Sequence, residues 1–159
     1  MTPYAGLVTR LGALAVDSVL LAIAVPVLAN GPASVWAALA GQAPGWLKLG
    51  AQIVAALLPA AYFAVCWWGS GQTAGGVLFG TVVCRHGGRR LGFGRALARS
   101  VIGLLLPVVW LIGLLAILVD RERRALHDRL FGTVVLRKLA REKVRRVPPP
   151  ASRVAARAK

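Results

Sequence analysis

Asp17 is one of only five acidic residues in 159, and it sits in the middle of an apolar run from Leu11 to Ala29. In lipid a carboxylate is costly unless it faces a partner or water, so its presence there marks a site. Arg10 lies seven residues earlier. Seven steps of about 100° return to the same helix face. The two are separated by about 10 Å along the axis at 1.5 Å per residue, too far for an easy direct ion pair. Each is expected to meet a partner from another segment. For Asp17 the candidates are Tyr62 and Gln52 in the next apolar run, and Arg99 further on. Two roles fit the residue: a buried, hydrogen-bonded carboxylate that fixes helix packing, or a site that binds a cation or carries a proton.

A second cluster holds Asp120, Glu122, His127 and Asp128 among Arg121, Arg123, Arg124 and Arg129. Such a run after an apolar segment is usually a solvated surface. His127 and Asp128, however, directly precede a strand-like stretch and are placed to form a salt bridge to Arg10 or Arg99. The two histidines, His86 and His127, are far apart, and Cys66 and Cys84 sit in unlike surroundings. No metal-ligand spacing and no disulfide framework result. No Ser-His-Asp, Cys-His or phosphate-loop spacing is present, so neither an enzyme nor a cofactor is expected.

The elements that must position these residues are membrane helices. Hydrophobic residues make up 57% of the chain and charged residues 16%, below the roughly 25% usual in soluble domains. Mean hydropathy is +0.67. Three runs approach the length of about 20 residues needed to cross a bilayer: about 11–29, 49–68 and 101–119. The fold class expected is an all-α membrane protein with two to three transmembrane helices, the third open to bending or re-entry at Pro107. Arg10 and Val27-Leu28-Ala29 loosely suit a cleaved signal peptide, but Asp17 inside the apolar core argues for a retained helix. The stretch 30–48, rich in Gly, Pro and Ala, reads as a loop with Trp36 and Trp46 at the interface.

Within 69–100, Val77 to Cys84 is apolar and β-branched, and Gly87-Gly88 is a turn signal. A small cytoplasmic β element is expected over about 77–91 and 132–136. Gly80-Thr81-Val82-Val83 recurs as Gly132-Thr133-Val134-Val135, so the two copies are suited to pair. From Phe93 the pattern turns helical, with Arg95 and Arg99 on one face. The chain divides into a membrane domain, 1–137, and a basic, Pro-containing tail, 138–159, expected to be disordered.

Charge sets the topology. Lys and Arg number one before the first run, one in the first loop, five in the second and thirteen after Val119. With the N-terminus inside and three full spans, 6 lie inside and 14 outside; with the N-terminus outside, the numbers reverse. If the third run returns to its side of entry, the split is 19 to 1. The positive-inside rule favours that last arrangement, and pairing of the two Gly-Thr-Val-Val copies requires it.

Several motifs together resemble a known family. Arg10, Ala13 and Asp17 open it. Tyr62-Phe63 and the tryptophans follow, then Gly71-Gln72-Thr73 and Gly75. Arg95 to Arg99 resembles the next block. Leu126-His127-Asp128-Arg129-Leu130 with Gly132 to Val135 is similar to the closing motif. This order, over about Tyr4 to Arg137, resembles the RDD family of small bacterial membrane proteins. The family's one arginine and two aspartates fall on Arg10, Asp17 and Asp128. Gln72, Thr73, Tyr62, Arg99 and His127 are the expected partners of that cluster. One departure is Gly76, where the family often has lysine. Most RDD proteins have no assigned activity, and some are linked to sodium/proton antiport.

The resemblance and the residues imply an accessory or scaffold membrane protein, with cation/proton antiport through Asp17 as the alternative. The expected partners are the bilayer, anionic headgroups met by the basic loops and tail, and a second copy or another membrane protein. The tail has no aromatic residue for base stacking, which disfavours nucleic acid. The expected location is the cell membrane, multi-pass, with loop 69–100 and the tail cytoplasmic.

Overall fold

The computed structural model describes residues 4–85, 88–106, 113, 115 and 125–137. Their order is helix α1 (Leu7–Ala40), α2 (Gly45–Gly69), α3 (Ala74–Leu78), strand β1 (Thr81–Arg85), α4 (Phe93–Leu105), α5 (Leu126–Phe131) and β2 (Thr133–Arg137).

Helices α1 and α2 are long, apolar and unpacked over most of their surface. Only 11% and 17% of their most apolar windows are buried. A core helix of a soluble protein buries its apolar face; these two are long and apolar enough to span a membrane and leave that face uncovered. The residues α1 does bury are Arg10, Ala13 and Asp17. Charged and small side chains thus face inward while Val19, Ile23 and Val27 face out, as expected where the solvent is hydrocarbon. Helix α2 buries Ala51, Ala55 and Ala64, whose small side chains allow close helix approach.

Helix α1 is longer than the run at 11–29 suggests. The stretch read as a loop is helical as far as Ala40, and only residues 41–44 turn. Pro26 and Pro32 lie inside the helix. Around them, Asn30 Nδ2 donates to the Pro26 carbonyl at 3.0 Å and Ser34 Oγ to the Asn30 carbonyl at 3.0 Å. Residues 33–40 are mostly strong helix formers, which carries the helix beyond the second proline. Trp36 and Trp46 meet edge to face at 6.3 Å across the turn.

Strands β1 and β2 form an antiparallel pair from Thr81↔Arg137 to Arg85↔Thr133, so the strands that the two Gly-Thr-Val-Val copies open do pair, with Val83 opposite Val135. Ala5 N donates to the Val135 carbonyl at 2.9 Å, and Tyr4 bridges to Leu136, adding the start of the chain to the sheet edge. Among the described residues of the hairpin expected inside 77–91, no second strand follows the turn signal at Gly87-Gly88. Arg85 N donates to the Arg89 carbonyl at 2.8 Å, after which the chain enters α4. Val77 and Leu78 belong to α3.

One apolar cluster joins the sheet to the helices: Ala5, Trp67, Val83, Leu91, Ala96 and Val135, with Phe63 against it. It places the sheet at the end of the bundle where α1 begins and α2 ends. Helix α4 covers the first residues of the third apolar run. The crossing or re-entry of 101–119 turns on residues beyond 106, which, apart from 113 and 115, lie outside the described residues, as do Asp120, Glu122 and the tail 138–159.

Candidate functional site

Asp128 stands at the centre of the buried polar residues, and it is fully buried. Helix α5 begins at Leu126, so Asp128 is in its first turn, and its Oδ2 accepts from Ala125 N at 3.1 Å. That capping bond fixes the carboxylate where two arginines from other helices reach it. Arg10 Nη1 of α1 donates to Oδ2 in a short ion pair. Arg99 Nη1 of α4 donates to Oδ1 at 2.5 Å and to Thr133 Oγ1 at 2.5 Å. The Thr133 hydroxyl donates to Oδ1 at 3.2 Å. One carboxylate therefore ties α1, α4, α5 and β2 together. A buried charge is stable only when paired and hydrogen-bonded, and this one is both.

Arg99 has a second support. Its guanidinium carbon lies 4.8 Å from the centre of the Trp67 ring, a cation–π contact with α2. Its Nε is buried with no hydrogen-bond partner among the described residues.

Asp17 forms a separate node. Tyr62 Oη of α2 donates to Asp17 Oδ1 at 2.8 Å, and Gly75 N of α3 donates to the same oxygen at 2.7 Å. Tyr62 Oη also accepts from Ala74 N at 2.9 Å. Thr73 caps α3, its Oγ1 accepting from Gly76 N at 3.0 Å. Asp17 and Tyr62 thus satisfy the amides at the start of α3, which have no partner within the helix. Gly75 is needed for this approach, because a Cβ there would fall on the Ala13 backbone carbonyl. Gln72 Nε2 donates to the Thr81 carbonyl at 3.0 Å and braces the link from α2 to β1.

A cavity of about 70 Å3 lies between the two nodes, lined among others by Arg10, Asp17, Trp67, Thr73, Thr81 and Arg99. The two arginines and two aspartates of the nodes balance in charge.

Of the expected partners of Asp17, Tyr62 reaches it. Gln52 does not, lying on the exposed face of α2. Arg99 goes to Asp128 instead, because Asp128 and Thr133 flank it at the start of α5 and β2. Gln72 and Thr73 support the surrounding turn without touching either aspartate. The His127 side chain lies outside the described residues. Sequence reasoning missed Thr133, Trp67 and the Gly75 amide. The Gly-Thr pair that ends α5 and opens β2 was a signal for the first, while a backbone donor leaves no mark in side-chain chemistry. Among the described residues no group of three or more His, Cys, Asp or Glu side chains could hold a metal ion.

No curated protein and no solved structure matches the chain. A family model does, over residues 4–132, and it is the model of the RDD family. The match spans most of the chain and contains Arg10, Asp17 and Asp128, which the fold buries at one end of the helices; the protein belongs to the RDD family.

Proposed function

We propose that this protein is a non-enzymatic accessory or scaffold protein of the cell membrane, with its sheet end toward the cytoplasm. The observation that carries this reading is how the family residues are used. Arg10, Asp17 and Asp128 each bond to a different element of the fold. Balanced charge suits a cluster that holds helices together, since a net charge at that depth would be costly. Its surroundings are the bilayer, anionic headgroups met by loop 69–100 and the tail, and a second copy or another membrane protein. In sealed proteoliposomes the wild-type protein is expected to give no sodium-dependent proton movement. Asp17→Asn is expected to lower the melting temperature.

A second reading, cation/proton antiport, draws on one observation. Asp17 lines the cavity, and both of its bonds among the described residues go to Oδ1. It requires sodium-dependent proton movement that disappears in Asp17→Asn while the variant stays folded. That result would replace the scaffold reading.

A further inference from the structure

Four arginines from different parts of the chain converge outside the buried nodes. Arg85 ends β1, Arg89 follows its turn, Arg95 lies in the first turn of α4 and Arg129 is on α5. With Leu130, Phe131 and Gly132 they line a cleft of about 530 Å3. No acidic residue is among the described residues that line it. Arg10 and Arg99 share Asp128, whereas Arg85, Arg89 and Arg95 have no carboxylate partner among the described residues. The guanidinium groups of Arg85, Arg89 and Arg95, gathered in this way, repel one another until an anion enters, and their planar forks match phosphate oxygens in pairs.

The position of the cleft narrows the anion. Trp68 and Phe93 meet edge to face at 5.6 Å and both are exposed, as aromatic residues are at a membrane interface. Arg95 follows Phe93 by two residues, so the cleft opens at headgroup depth. Leu130, 71% exposed, gives one wall an apolar surface. The volume exceeds what a lone phosphate needs and falls in the range of about 300–1,000 Å3 usual for ligand sites.

We propose that this cleft is a defined site for the phosphate of an anionic phospholipid headgroup. The proposal rests on the protein residing in a membrane and is independent of whether it acts as a scaffold or moves ions. The test uses the full chain in phosphatidylcholine nanodiscs titrated with phosphatidylglycerol, with bound lipid counted by native mass spectrometry. Saturable binding of one phosphatidylglycerol is expected. Replacing Arg85, Arg89 and Arg95 by Gln should weaken it roughly tenfold or more, since each basic group near the surface adds attraction. Replacing Arg145, Arg146 and Arg153 by Gln removes the same charge from the tail and should leave this saturable step unchanged, lowering only the diffuse attraction of further headgroups.

Equal losses in the two variants would overturn the proposal in favour of diffuse attraction. Arg89→Lys with Arg95→Lys keeps the charge and spares the fold. It should still weaken binding several-fold, because lysine lacks the fork, and an unchanged affinity would overturn the defined site. Inorganic phosphate is titrated in parallel, and binding as tight as the lipid's would overturn the lipid assignment. Failure of the protein to enter phosphatidylcholine nanodiscs would instead count against membrane residence itself.

Discussion

Asp128 accepts bonds from Arg10, Arg99, Thr133 and its own capping amide, so its charge is shared by two guanidinium groups. Asp128→Asn leaves both arginines buried without a counter-charge. Breaking a buried pair in this way costs about 3–5 kcal/mol. The natural reporter is Cys84, a fully buried thiol on β1. Thiol labelling of Cys84 in the detergent-solubilised variant is expected at a markedly lower temperature than in wild type. Unchanged labelling would mean that the ion pairs carry no stability. Tyr62→Phe removes the phenol that serves both Asp17 and Ala74 N, and is expected to cost about 1–3 kcal/mol because the buried acceptor loses a donor. At this scale much was legible: an aspartate in an apolar run demands a donor, and Tyr62 was among the few available. The Arg99–Trp67 contact was not, because it depends on how α4 crosses α2.

Among the elements, α3 shows how little of a close approach appears in residue types. It is five residues long, and its seat against α1 depends on Gly75 having no side chain. Gly75→Ala is expected to destabilise the protein by about 1–3 kcal/mol, through the backbone shift that overpacking forces. Gly50 provides the contrast. It lies in α2 with open space where a Cβ would go, so Gly50→Ala should be neutral or stabilising by up to about 1 kcal/mol. Equal melting temperatures for the two variants would refute the close approach. The sheet was readable because two identical tetrapeptides of strand formers could pair. The length of α1 was not, because Gly31-Pro32 signals a break, and what carries the helix onward is the alanine-rich turn sequence after it.

For the molecule as a whole, the pairing of β1 with β2 has a consequence for topology. Arg85 opposes Thr133, so the chain before and after the third apolar run meets at one place. That place is the end where α1 starts and α2 finishes, since Arg10 reaches Asp128 and Trp67 packs with Val83 and Val135. The turn at 41–44 lies at the far end of α1, whose 34 residues extend about 50 Å at 1.5 Å each, well beyond the roughly 30 Å of hydrocarbon. The proposed membrane arrangement therefore predicts Gln42 on one side of the bilayer, and Arg90 and Arg137 together on the other. Single cysteines at these three positions, with Cys66→Ala and the buried Cys84 left in place, test this with a membrane-impermeant thiol reagent. Gln42→Cys is expected to label from one side only, and Arg90→Cys and Arg137→Cys only from the opposite side. Labelling of Arg90→Cys and Arg137→Cys from different sides would mean that the third run crosses once. It would also break the sheet and with it the link from Asp128 to Arg10. The charge pattern points the same way, because Lys48 is the sole basic residue near the turn, while the described arginines gather at the sheet end.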